Sequence, residues 1–203
     1  MPGLRAKRGK APKVNLDGTR NLIAAVRAQA PGARYIMAST GRVYDEDLLR
    51  PAREDDPVSG DSPYPQSKVA AEQALRDSGL NWSIPRLAFV YGDEDGHLPA
   101  LPRLLTAWGW HPAAVMSLIH HRDIATAVEL ALTGAMDGHT VNIADDAPVS
   151  IHEIAQIVGA DYGTSAEPMS KPGNGQMDAS LARSLGFRAT VPTAYQAAWE
   201  GAL

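Results

Sequence analysis

Apolar residues at Leu22, Ile23 and Val26 recur at helical spacing, and Pro31-Gly32 follows them, which predicts a helix over residues 14–28. Residues 34–39 then form a short apolar run of the kind that makes a buried strand. A loop rich in proline, glycine, serine and acids spans 50–63. Tyr64, Lys68, Ala71 and Leu75 follow it along one side of a helix over 64–76. The next strand is expected over 81–90, with Pro85 inside it. Proline cannot donate to a ladder, so that strand is expected at an edge or a bulge. Beyond a loop at 91–97 come a short helix at 98–108, a Trp/His/Pro turn, and a helix at 123–132 whose apolar face carries Ile124, Val128 and Leu132. Residues 140–144 read as a strand, and Ser150 with Glu153 as a capping box opening another helix. A loop at 164–175 precedes two closing helices at 178–185, ended by Gly186, and at 193–203. There is no internal repeat. Strands alternating with helices indicate an α/β fold with a largely parallel sheet.

Composition narrows the picture. With 203 residues, 44% of them hydrophobic, the chain can bury one substantial core. The expected organisation is a frayed basic tail over 1–13 and a single domain over 14–203. A net charge of −4 and a pI near 5.8 argue against a nucleic-acid partner. The absence of cysteine excludes disulfides, thiolate catalysis and cysteine metal sites, and fits a reducing cytoplasm. No apolar run approaches the ~20 residues of a membrane span, and the basic N-terminus lacks the apolar stretch of a signal peptide. A soluble, cytoplasmic protein is expected, with no membrane or nucleic-acid partner. No metal site is expected either: Glu54, Asp55 and Asp56 read as a solvated loop. The adjacent His120 and His121 would point to opposite faces of a strand.

The candidate chemistry lies in Ser62-Pro-Tyr-Pro-Gln-Ser-Lys68 and in Ala38-Ser-Thr-Gly-Arg-Val-Tyr44 before it. Tyr64 and Lys68 stand four apart on one helical face. A phenol titrates near ~10 and is a poor acid or base at neutral pH, unless an adjacent ammonium favours the phenolate. Thr40, at a strand's C-terminal end, could hydrogen-bond the same substrate oxygen. Tyr, Lys and Thr together describe carbonyl or alcohol chemistry. The spacing alone equally suits a solvated helix face.

The flanking motifs decide between these. Val14-Asn-Leu-Asp-Gly-Thr-Arg-Asn-Leu22, Ser39-Thr40-Gly-Arg-Val-Tyr44, the Tyr64/Lys68 pair, Arg86-Leu-Ala-Phe-Val-Tyr-Gly92, Ile119-His-His-Arg-Asp-Ile-Ala125 and Val141-Asn-Ile-Ala-Asp-Asp-Ala-Pro-Val-Ser150 occur in order. Together they resemble the extended short-chain dehydrogenase/reductases, the NAD-dependent epimerase/dehydratase family. The resemblance implies a Rossmann-like, doubly wound sheet and NAD or NADP as cofactor. It makes Tyr64 the acid/base, Lys68 its partner and a ligand of the nicotinamide ribose, and Thr40 the group orienting the substrate oxygen. Leu87 and Ala88 would lie near the nicotinamide ring. Asn15, His97 and Trp108 are candidates for the substrate side. A catalytic half at about 14–92 would merge into a substrate-binding part at about 93–203, and the resemblance implies a homodimer paired through the catalytic helices.

Three departures qualify the resemblance. The dehydratase branch carries an Asp-Glu pair after the Thr, where this chain has Gly41 and Arg42, so loss of water from a sugar is not expected. Nucleotide-sugar members carry an Arg four residues before the His of the Ile-His motif, and here that place holds Met116. A small substrate without a nucleotide is therefore expected. Lastly, the Gly-rich dinucleotide turn should precede the Asn of the first motif by roughly 90 residues, whereas Asn15 has fourteen before it. The expectation is a partial Rossmann-like fold missing its first strands. It is either an oxidoreductase or epimerase, or an inactive remnant or binding module that binds no cofactor.

Overall fold

The computed structural model describes residues 13–45, 47–60 and 62–203, so the tail expected over 1–13 falls outside it except for Lys13. Lys13–Asp17 form a π-helical turn leading into α1, Gly18–Gln29. Strands β1, Arg34–Ile36, and β2, Ser39–Thr40, follow, and a short 3-10 turn, Gly41–Val43, closes the segment. Helix α2, Pro63–Arg76, begins with proline in its first turn, where no intrahelical N–H is required. It leads into β3, Asn81–Leu87, and β4, Phe89–Tyr91.

Strand β3 is central. It pairs in parallel with β1 and β2 on one side and with β7, Thr140–Ile143, on the other. Pro85 therefore lies inside the sheet and not at its edge. The registers Ile36↔Ser83 and Ser39↔Arg86 put Ile84 and Pro85 opposite Met37 and Ala38, where the neighbouring strand is interrupted. A residue with no N–H breaks the ladder on that side only, while Pro85 pairs with Val141 on the other.

After β4 the chain forms α3, His97–Ala107, then β5, Val115–Met116, and β6, Leu118–His120. Helix α4, His121–Leu132, precedes β7, and β8, Val149–Ser150, precedes α5, Ile151–Ile157. Helices α6, Ser180–Ser184, and α7, Ala194–Glu200, close the chain. Strands β4 and β6 run parallel, and β5 pairs antiparallel with β8, a pairing too short to leave a sequence pattern. The Ser150–Glu153 capping box forms as expected.

Two helix faces differ from expectation. Helix α4 buries Asp123, Ala127 and Ala131, while Val128 and Leu132 stay exposed. Small alanines allow close approach to the sheet, and the Asp123 carboxylate accepts hydrogen bonds from the Thr190 and Val191 amides and the Thr190 hydroxyl. In α1, Ile23 is buried but Leu22 points to solvent.

Among the described residues, the buried Ser83 and Tyr91 hydroxyls lack hydrogen-bond partners, and so does one buried carboxylate. Asp145 is 3% exposed, and neither of its carboxylate oxygens has a hydrogen-bond partner. Burial pushes its carboxyl from 3.8 up to about 8, with the nearby Ala147 amide opposing and Asp146 and Asp123 adding to the rise. A raised folded-state value means that stability is fully present below about pH 4 and is lost as pH climbs through 8. Urea unfolding as a function of pH is therefore expected to weaken across that window. Asp145→Asn should flatten the slope and raise stability at pH 8 by about 1–3 kcal/mol. An unchanged slope would assign the pH dependence elsewhere.

Candidate functional site

Parallel sheets bind ligands beyond the C-terminal ends of their strands. Here that edge carries Thr40, at the end of β2, and Leu87, its partner across the sheet at the end of β3. Ala88 follows, buried, with its amide donating to the Ile143 carbonyl.

Helix α2 brings its N-terminal half to this edge. The Lys68 ammonium donates to the Ala38 carbonyl at 3.0 Å, two residues before Thr40. Burial pulls the Lys68 amine below its ordinary value, and the Glu72 charge opposes that shift. Tyr64, one turn earlier, is exposed. The Ser67 hydroxyl donates to the Tyr64 carbonyl at 2.7 Å and accepts from the Asn15 amide at 2.8 Å. Thr40 accepts from the Arg42 amide at 3.3 Å. The structure thus brings Lys68 to the strand end that carries Thr40, Leu87 and Ala88, and ties Asn15 to the first turns of the same helix through Ser67.

The remaining two candidates stand apart from this group. Trp108, exposed at the C-terminal cap of α3, lies under the Arg42 guanidinium at 5.9 Å and so reaches the rim of the site. His97, at the other end of α3, packs edge-on against Phe89 at 6.4 Å and bonds Asp95. At Gly41, which departs from the dehydratase pattern, an added Cβ would press on the flexible end of the Met177 side chain. Met116, likewise, is buried in an apolar cluster with Leu118 and Val149.

A buried polar network beneath the site was not anticipated. The Glu72 carboxylate, one turn beyond Lys68, receives Arg86 Nε at 3.1 Å and Arg86 Nη2 at 2.7 Å, together with the Ser39 hydroxyl and Arg76. Arg86 also donates to the Tyr44 hydroxyl at 2.9 Å, which donates onward to Asn142 at 2.6 Å. Burial pushes the Tyr44 phenol up to about 12, with the Arg86 charge opposing. Burial also acts to raise the Glu72 carboxyl, but hydrogen bonds and charge from Arg86 outweigh it and hold the group below its ordinary value. The sequence did carry a signal, because Glu72 repeats the four-residue step from Tyr64 to Lys68 among Ala71 and Leu75.

The donors at the strand end suit the ribose–nicotinamide end of a dinucleotide. They comprise an ammonium with two N–H groups left after Ala38, a phenol and an alcohol. Among the described residues no Gly-rich strand-to-helix turn stands beside them for a pyrophosphate. No described helix is long and apolar enough to cross a membrane.

A family model, NAD dependent epimerase/dehydratase family, matches residues 6–144. A relative from Methanocaldococcus jannaschii is 25% identical over 199 residues, covering 88% of this chain and 65% of that protein. The dTDP-glucose 4,6-dehydratase of Streptomyces griseus is 26% identical over 202 residues, covering 90% and 61%. The chain thus spans less than two thirds of these relatives' lengths. A short-chain dehydrogenase/reductase superfamily protein from Agrobacterium tumefaciens, solved with bound NAD, superposes with a TM-score of 0.77 at 23% identity. That match covers 98% of this chain and 75% of its counterpart, and it shows the Rossmann-like fold.

Proposed function

The chain belongs to the NAD-dependent epimerase/dehydratase family, and from that premise we propose that it serves NAD(P)-linked oxidation–reduction of a carbonyl or alcohol on a small substrate without a nucleotide. The observation that carries this reading is the Lys68–Ala38 hydrogen bond, which fixes the catalytic helix against the strand that ends in Thr40. A bound nicotinamide would supply or accept the hydride. The chain's own residues do the rest. Tyr64 gives a proton to the carbonyl oxygen, or takes one from the alcohol, and Thr40 hydrogen-bonds that oxygen and orients it. Lys68 holds the ribose hydroxyls with the N–H groups that Ala38 leaves over, and sets its positive charge one turn from the phenol. Leu87 and Ala88 offer an apolar wall to the ring.

The substrate class follows from two positions. Met116, in its apolar cluster, gives a substrate phosphate no cation. Gly41 and Arg42 give an elimination no acid–base pair. In this reading residues from about 14 to 92 do the chemistry, and those from 93 to 203 shape the substrate. Two copies would associate through α1 and α2, where Leu22 is exposed.

Titration of the purified protein with NADH and NADPH, followed by nicotinamide fluorescence, tests the proposal. Saturable binding is expected, weakened about tenfold or more in Lys68→Ala, as for the loss of a charged hydrogen bond. A folded sample that binds neither dinucleotide would sink the enzymatic reading and leave a non-catalytic binding module.

A further inference from the structure

We infer that Asp95, His97 and His121 form a surface site for one divalent transition-metal ion of the zinc type. The three come from separate places: the loop after β4, the first residue of α3 and the first residue of α4. Asp95 Oδ2 lies 2.9 Å from His97 Nδ1 and 2.8 Å from His121 Nε2. All three donor atoms fall within 4.8 Å of one another. Donors about 2 Å from a tetrahedral zinc stand about 3.3 Å apart, so an ion could enter with small side-chain rotations. Two imidazoles and a carboxylate suit zinc and its neighbours, and they leave positions for water.

The set is held in place by its own contacts. Asp95 Oδ1 accepts the His97 backbone N–H at 2.7 Å, which aims the other carboxylate oxygen at both rings. The Asp95 side chain is 16% exposed, against 63% and 43% for His97 and His121, so the carboxylate forms the floor and the imidazoles the open mouth. The loop bearing Asp95 is fixed by backbone hydrogen bonds from Asp93 to Ala202 and from Glu94 to Leu203. Asp93 and Glu94 both take left-handed backbone angles, φ 48° and 63°, which non-glycine residues rarely adopt. Two helix N-termini meet at the site and oppose a cation, while Asp95 supplies the negative charge. The ion would tie the starts of α3 and α4 together.

This inference does not depend on the cofactor reading. The adjacent pair His120/His121 contributes only His121. His120 is buried, with its Nε2 2.8 Å from the Ala202 carbonyl.

The test is competition for Zn2+ between the untagged protein and a chromophoric chelator, together with the visible spectrum of the Co2+ form. Expected are one Zn2+ per chain, a four-coordinate Co2+ band, and affinity reduced at least about tenfold in His97→Ala, His121→Ala and Asp95→Asn. Uptake should persist in His111→Ala and His152→Ala, and Mg2+ should not compete. His97→Gln and His121→Gln serve if an alanine variant fails to fold. No saturable uptake by the folded protein, or uptake unchanged in the His97 and His121 variants, would overturn the assignment.

Discussion

Arg86→Met is expected to lower the free energy of unfolding by about 3–5 kcal/mol, because it leaves the Glu72 carboxylate buried without its main partner. Arg86 is 2% exposed and Glu72 fully buried, so water cannot replace the lost contacts. The double variant Glu72→Gln/Arg86→Met should recover much of the loss, since neither charge then remains. Acidification supplies a second readout. The Glu72 carboxyl is held below its ordinary 4.5, so its contribution is present above that value and is lost as pH falls through the lowered one. Removing Arg86 should abolish that loss. Urea denaturation of the two variants at neutral and acidic pH measures both effects. A single-variant cost under about 1 kcal/mol would mean that the ion pair offers little more than its desolvation takes away.

Tyr64→Phe is expected to reduce turnover of a carbonyl substrate by about 10²–10⁴-fold, the usual range for loss of a positioned proton donor. The same change should shift stability by less than about 0.5 kcal/mol, since Tyr64 is exposed at the start of α2 and packs into no core. Steady-state oxidation of NADH or NADPH with a panel of aldehydes and ketones reads the first quantity, and thermal unfolding the second. Equal turnover in both proteins would remove Tyr64 from the chemistry. A lost fold would instead place it in the structure.

The sequence carried those parts of the fold that depend on neighbours within a few turns. Helix α2 announced itself through Tyr64, Lys68, Ala71 and Leu75 along one side, and α5 through its Ser150–Glu153 box. Interactions between distant segments left no such mark. The Tyr44–Asn142 hydrogen bond joins positions 98 apart, and Asp95 meets His121 across 26. Pro85 misled because only one of β3's two neighbours is interrupted opposite it. Helix α4 misled because its buried face is built from alanines around the satisfied Asp123, while its larger residues face outward. The placement of Thr40 at a strand's end and of Lys68 on the helix that follows was readable as residue types in order. That Lys68 bonds Ala38, and that His97 faces Asp95, is set only by the folded chain.

The contact between Gly41 and Met177 bears on the substitutions open to such a chain. A side chain at 41 would meet the sulfur and terminal methyl of Met177, the flexible end of that residue, so any larger residue after Thr40 requires Met177 to swing aside. Forcing extra atoms into packed space costs about 1–3 kcal/mol, a large part of a small protein's stability. The size of the residue after Thr40 is thus coupled to the rotamer of a side chain 136 positions away along the chain.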